Sequence, residues 1–243
     1  IDKDVIERIE ILKGPAGRIY GQGAFAGAIN IVTVKSQKSF KVIEGSIGSN
    51  GLIGGKVGLN IKKKKLSTYA SYHYEQSDPG YIRNNNYFRH NLFFQSNYQK
   101  KNKEFNLIAS QVWNKFGASS FYAAPIDSTS EEAVNTSFIS LQHTYKKKKT
   151  KILSSFSFRN NTDEYTLFRD APEIFRNNHR TSVFAIQLNA STLLSKTSAL
   201  GYGIELRSDQ ITSDNLGNHD RGVLTANLEY KLYLLDDKLK IIP

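Results

Sequence analysis

The sequence has no cysteine, no methionine and a single tryptophan. Without cysteine there is no disulfide scaffold, no thiolate zinc site and no cysteine nucleophile. There is also no run of about 18 apolar residues, which excludes a transmembrane helix. The mean hydropathy of −0.44 does not exclude a transmembrane β-barrel, because barrel strands alternate lipid-facing with lumen-facing residues and average out as polar. No basic-then-apolar leader opens the chain. The lack of methionine, and a C-terminus inside an apolar stretch (Leu239, Ile241, Ile242, Pro243), suggest an interior piece of a longer protein.

Acidic residues are outnumbered, leaving a net charge of +11 over 243 residues. The excess is packed into short runs: Lys62 to Lys65, Lys100 with Lys101 and Lys103, and Lys146 to Lys149. Each run falls between two alternating segments, where a tight turn belongs. A nucleic-acid surface carries its cations along a helix face or between exposed aromatics, so no nucleic-acid partner is expected and the runs read as solvated turns.

From Ser39 onward, segments alternate apolar and polar residues at period two, as half-buried strands do. The clearest is Arg221 to Leu234, with Leu224, Ala226, Leu228, Tyr230, Leu232 and Leu234 on one face and Thr225, Asn227, Glu229 and Lys231 on the other. Others occupy 40–48, 52–61, 66–76, 88–98, 104–115, 135–145, 150–160, 181–194 and 200–206, with a further strand starting near Lys238. Short connections (62–65, 99–103, 146–149, 195–197, 235–237) alternate with long ones (77–86, 116–134, 161–180, 211–220), apart from a short one near Ser49 to Gly51. An antiparallel meander with that alternation gathers its long loops at one end, as membrane barrels do. The segments exceed the 5 or 6 residues or so of soluble strands and suit the roughly 9 to 11 needed to span a bilayer.

Aromatics near strand ends (Tyr72, Tyr74, Phe88, Tyr98, Trp113, Tyr145, Tyr165, Tyr202, Tyr230, Tyr233) fit an interfacial girdle, or the general preference of strands for tyrosine. The opposite face carries Glu44, His73, Glu75, Arg89, Arg159, Glu205, Arg207, Glu229 and Lys231. Charges of that kind need water or a polar filling, which implies a wide barrel with a wet lumen.

The first 35 or so residues differ: a helix-like opening (Val5, Ile6, Ile9), an apolar strand, a Gly/Ala-rich stretch and a second apolar strand, Ile29 to Val34. Gly21, Gly23 and Gly27 permit positive φ and close backbone approach, and Pro15 after Gly14 fixes a turn. Neither nucleotide-binding glycine fingerprint is met.

The segment Ile6 to Lys35 reads IERIEILKGPAGRIYGQGAFAGAINIVTVK. It resembles the end of the plug domain in TonB-dependent outer-membrane receptors: an I-E-R-I-E-V stretch, a [KR]-G-P turn, then Y-G-x-G-A-x-G-G-x-I-N-I. Glu7, Arg8, Ile9, Glu10, Gly14, Pro15, Tyr20, Gly21, Gly23, Ala24, Gly27, Ile29, Asn30 and Ile31 stand at matching positions. Ala28 and Phe25 depart from the usual choices. The Gly14-Pro15 turn resembles the siderophore and cobalamin branch more than the sugar-uptake branch, and Phe116 to Tyr122 and Phe168 to Pro172 resemble cobalamin-receptor-like members from Bacteroidetes.

The resemblance implies an all-β fold: a transmembrane antiparallel barrel, here about 10 or 11 of the family's 22 strands, preceded by the C-terminal part of an α/β plug. Residues 1–36 would be the plug end and 37–243 the first half of the barrel. It implies a Gram-negative outer membrane, lipid around the barrel, a ferric siderophore or cobalamin as cargo, and TonB engaging an N-terminal segment this sequence lacks. A glycan- or peptide-uptake receptor working with a lipoprotein, and a passive porin-like barrel, are the alternatives.

Binding residues concentrate on loops held by a rigid scaffold, so the expected cargo contacts are Trp113, Phe121 and Tyr122 in one long connection, and Phe168, Arg169, Phe175, Arg176, His179 and Arg180 in the next. Aromatics suit a large planar ligand and Arg suits carboxylate or phosphate, although the same residues could simply fold the loops back on themselves. No catalytic site is expected, since no G-x-S-x-G elbow occurs. The five histidines lack metal-site spacing, and no cofactor is expected.

Overall fold

The computed structural model describes residues 1–14, 26–35, 38–119, 129–234 and 239–241. Among them the chain forms one 3-10 turn and thirteen strands. The turn is Lys3–Val5, capped by the Asp2 side chain, which accepts from the Asp4 N–H. Strand β1 (Ile6–Lys13) then pairs antiparallel with β2 (Gly27–Thr33), in a ribbon where Ile9 faces Ile31 and Ile11 faces Ile29. The helix-like opening is thus corrected. Ile6 and Ile9 lie on a strand, because pairing with β2 satisfies the backbone groups a helix would have satisfied internally.

The remaining strands are β3 (Phe40–Ile47), β4 (Ile53–Lys63), β5 (Leu66–Ser77), β6 (Tyr87–Lys100), β7 (Lys103–Gly117), β8 (Glu131–Lys147), β9 (Thr150–Thr166), β10 (Arg176–Leu193), β11 (Ser198–Ser213), β12 (Gly217–Leu234) and β13 (Leu239–Ile241). They form one eleven-stranded antiparallel meander in sequence order, and β3 and β13 do not pair, so the sheet is open. This is a partial barrel of the expected strand number.

The register shows why this alternation builds two faces. Leu107, Leu141, Phe156, Ile186, Leu206 and Leu224 are cross-strand partners in one continuous row. A second row runs Phe94, Ala109, Ile139, Phe158, Phe184. Ile186 at 44%, Leu206 at 51% and Leu224 at 68% exposure are not covered by any described part of the chain. A contiguous apolar band of this size is unstable in water and stable against lipid. The other parity carries Lys56, His73, Asn91, Gln95, Asn106, Gln187, Glu205, Arg207 and Asp209, and forms the wet face.

The polar stretches near the long connections are strand, not loop. β9 and β10 pair from Thr150↔Thr192 up to Thr166↔Arg176, so the connection is 167–175 rather than 161–180. Likewise β11 and β12 pair up to Ser213↔Gly217, leaving 214–216 instead of 211–220. The sequence pattern fails there for a physical reason. Strands of 17 or 18 residues outrun the 9 to 11 or so that cross a bilayer. Beyond the band, both faces are wet and the alternation vanishes while the ladder continues.

Most of the expected girdle aromatics lie on the apolar parity. Tyr74, Phe88 and His90 pack together at one end, and Phe105 stacks on His143 at 4.4 Å at the other. Tyr165 and Tyr233 are corrections: Tyr165 lies on the wet parity opposite Glu132 and is buried, and Tyr233 shares the wet parity of β12 with Glu229 and Lys231.

Candidate functional site

The N-terminal segment sits against the wet face. Val5 is buried on Tyr69 and Phe93, with Phe40 and Ile108 packed around them. The polar part of this junction centres on Lys56 of β4, whose Nζ lies 2.6 Å from Asp2 Oδ1 and 2.7 Å from Asp4 Oδ2. Tyr69 donates to both carboxylates at 3.2 Å, and Ser71 donates to Asp2. Burial works to raise the Asp2 carboxyl, but the hydrogen bonds from Lys56, Ser71 and the Asp4 N–H outweigh it and hold it below its ordinary range. Further along, Gln95 Nε2 donates to Thr33 Oγ1 at 3.0 Å and to the Val34 carbonyl at 3.2 Å, and Lys35 pairs with Glu104 at 2.6 Å. An open cleft of about 360 Å³ borders the junction, lined in part by Asp2, Glu44, Lys56, His73, Glu75 and Asn91.

The motif residues that the structure describes are local to the ribbon. Arg8 pairs with Glu7 at 2.9 Å and Glu10 at 2.7 Å. Glu10 accepts from Asn30 at 2.8 Å, and that bond, followed by the one from Arg8, holds its carboxyl below its ordinary range. Gly14 has φ +86° in the turn after β1. Gly27 has φ +155°, and a Cβ there would lie 2.5 Å from the Leu12 carbonyl oxygen, so only glycine lets β2 start that close to β1. Pro15, Tyr20, Gly21 and Gly23 lie outside the described residues.

The second polar centre is the wet wall beneath the long connections. His179 on β10 stands opposite Asp163 on β9 and Ser213 on β11. Asn177 Nδ2 contacts His179 Nε2 at 2.5 Å, while Asn177 Oδ1 and His179 Nδ1 are buried without a hydrogen-bond partner. Four residues along the same face, about 13 Å at strand rise, Val183 is opposite Asp209. Asp209 takes Arg207 at 2.6 Å and both nitrogens of the Arg221 fork, the nearer at 2.5 Å. Gln187 donates to Glu205 deeper on the same wall.

The expected cargo residues separate on this frame. Phe168, Arg169 and Phe175 are in the 167–175 connection, as expected. Arg169 reaches Glu131 at 3.1 Å and Asn84 at 2.8 Å, and its N–H donates to Thr129 Oγ1 at 3.0 Å, so it ties three connections together. Phe175 packs edge-on against Tyr165. Trp113, Arg176, His179 and Arg180 are on strands rather than in loops, because β7 and β10 extend past the apolar band. Of these, His179 is on the wet face. Trp113, Arg176 and Arg180 share parity with the apolar band. Phe121 and Tyr122 lie outside the described residues. Among the described residues no three His, Asp or Glu side chains converge as a metal site.

Lys56, Asp2, Asp209 and Asn177 had no part in the expected site. Lys56 was detectable by parity, as a cation at an even position among the odd apolar residues Ile53, Val57, Leu59 and Ile61. Asp2 lies outside any periodic segment and gave no signal.

An open eleven-stranded antiparallel sheet with an apolar outer band and a polar inner face is the architecture of part of a β-barrel. No family model matches the sequence. A stretch of 47 residues is 49% identical to the vitamin B12 transporter BtuB of Vibrio vulnificus, covering 19% of this chain and 7% of that protein. A stretch of 49 residues is 49% identical to the metal-pseudopaline receptor CntO of Pseudomonas aeruginosa, covering 20% and 7% respectively. The chain superposes on the FrpB iron transporter of Neisseria meningitidis with a TM-score of 0.80 at 14% identity, covering 96% of this chain and 44% of that one. The Serratia marcescens hemophore receptor HasR gives 0.76 at 15% identity, covering 100% and 39%. At such identities the superpositions establish the fold, and the chain spans less than half the length of either solved receptor. Taken with the Ile6 to Lys35 motif, these likenesses support a fragment of a TonB-dependent receptor.

Proposed function

We propose that the protein is a TonB-dependent receptor in the outer membrane of a Gram-negative bacterium, and that it imports a scarce large solute, a ferric siderophore or cobalamin. In this reading residues 1–36 are the end of a plug and 37–243 the first half of its barrel. The organism would belong to the Bacteroidetes, lipid would cover the band around Ile186, and TonB would pull on a segment N-terminal to this sequence. The reading rests above all on the docking of the first segment onto the wet face, through Lys56, Tyr69 and Gln95. Nothing in a passive pore needs a buried ionic contact between the wall and a separate ribbon.

The solute would meet the wall at His179, Asn177 and Asp163, with Arg221 and Asp209 below, and with Phe168 and Phe175 above. Unpaired buried atoms on Asn177 and His179 favour this place, since such atoms cost free energy until a partner arrives. Arg169 holds the connections together rather than touching the solute. Trp113, Arg176 and Arg180 fall outside the wet wall.

The test is binding of cobalamin and of a panel of ferric siderophores to the full-length protein, with uptake measured in cells with and without TonB. Saturable binding and TonB-dependent uptake of one of them is expected. Lack of binding together with unchanged uptake on removal of TonB would overturn the reading.

A further inference from the structure

The whole net charge of the chain resides in three two-residue turns and the strand ends that flank them. Residues 62–65, 100–103 and 146–149 hold eleven lysines, equal to the chain's net charge of +11. The rest of the sequence is balanced. All eleven are exposed, and all lie at the end of the sheet away from the long connections.

Three features go beyond solvation. Lys64, Lys101 and Lys148 each take the first turn position with φ of 53°, 50° and 50°. That conformation is cheap for Gly or Asn and costly for a residue with a long side chain, so the charge is kept against a steric preference at all three turns. Next, the lysines continue directly into the apolar face. Lys103 Nζ lies 5.9 Å from the Tyr145 ring centroid, and Phe105 stacks on His143 two pairs further along, on the same face. Finally, a groove of about 570 Å³ opens among Tyr145, Lys147, Lys148, Lys149, Thr150 and Ile152, so its walls are part apolar and part cationic.

An amphipathic groove at the edge of a lipid-facing band suits a ligand that is itself amphipathic and anionic at one end. We propose that this rim is a collar for the phosphate headgroups of anionic phospholipids in the adjoining leaflet, with the Lys146 to Lys149 turn as one seat. The acyl chain lies along Tyr145 and Ile152 and the headgroup phosphate meets the lysines. An acidic protein partner would use the charge but not the apolar wall. The proposal rests on the membrane-barrel reading above.

The experiment uses the full-length protein in neutral detergent micelles. Phosphatidylglycerol and phosphatidylcholine are added separately, and retained lipid is counted by native mass spectrometry. Inorganic phosphate and a polyglutamate peptide serve as competitors. Expected is at least a tenfold preference for phosphatidylglycerol. It should fall severalfold in about 0.5 M salt, where charge attraction is screened within a few ångströms, and in the K146Q/K147Q/K149Q variant, which leaves the strained Lys148 in place. Equal retention of both lipids, an unchanged preference in the variant, or displacement of the lipid by polyglutamate as readily as by excess phosphatidylglycerol would each overturn the collar. Heat-modifiable migration on gels scores barrel formation separately, so failure of the barrel reading and failure of the collar give different results.

Discussion

Lys56 and Asp2 are joined by a buried ion pair of 2.6 Å that bridges 54 residues of sequence. It is the hub of the contact between the first segment and the sheet wall. Removing one partner of a buried pair strands the other charge, at a cost of about 3 kcal/mol where water has some access. Lys56→Met leaves Asp2 and Asp4 facing each other uncompensated. The loss should appear in the segment rather than the sheet. Hydrogen exchange at Val5 and Val34 should accelerate by about a hundredfold, as expected for that energy, while amides in β8 to β11 keep their protection. Uniform acceleration across the sheet would show that the pair holds no separate unit.

The same contact has a defined acid response. Asp2 is held below its ordinary value of 3.8 in the folded state. A depressed carboxyl contributes stability in full above the unfolded value, and that contribution is lost as pH falls through the folded one. Protection of the segment, corrected for intrinsic exchange, should therefore be flat from neutral pH to about 4 and decline only below it. In Asp2→Asn the Asp2-dependent part of this decline should be missing.

Two glycines of the ribbon make a contrast. At Gly14 a Cβ meets nothing within 4 Å, and only the φ of +86° resists substitution. Gly14→Ala should cost about 1 kcal/mol. At Gly27 the Cβ would also lie 2.5 Å from a backbone oxygen that cannot yield without separating β1 from β2. Gly27→Ala should cost about 2 to 3 kcal/mol, and proteolysis of the ribbon should expose the difference. Equal sensitivity of the two variants would count against so close an approach of the strands.

The ten clear strands were legible because a strand in lipid must alternate, and the band from Phe94 to Phe184 does so without a break. The motif around Gly14 and Gly27 was legible because backbone constraints there permit few residues. What stayed hidden was whatever breaks the two-period code. The upper parts of β9 and β10 carry Asn161, Asp163, Asn177 and Asn178, which read as loop although the ladder runs through them. Asp2 depends for its role on a partner 54 residues away, and no local pattern carries that information.

Neighbouring residues on β10 separate the wet wall from the outer face. His179 and Arg180 are adjacent in sequence, so their side chains leave opposite faces of the strand. If the solute meets the wall at His179, His179→Ala should weaken binding about tenfold, corresponding to one hydrogen bond of roughly 1.4 kcal/mol. Arg180→Ala should leave binding within about twofold. Isothermal titration with whichever solute the full-length protein binds decides this. A larger loss at Arg180 than at His179 would move the site off the wet wall.

A parallel pair lies deeper in the same strand, where the proposed reading puts lipid rather than solute as the surrounding phase. Ile186 sits in the middle of the apolar row between Phe156 and Leu206, whereas Gln187 lies on the wet face between Ser155 and Glu205. Arginine on a lipid-facing site near the bilayer midplane costs about 2 to 4 kcal/mol. Ile186→Arg should lower the stability of the protein folded into vesicles by that amount. Gln187→Arg instead places a cation beside Glu205, and should be close to neutral. Vesicle unfolding titrations of the two variants in denaturant measure both. If Gln187→Arg were the more damaging of the two, lipid and water would have to exchange sides of the sheet, and the first segment against Lys56 would then lie in hydrocarbon, where its buried charges could not be supported.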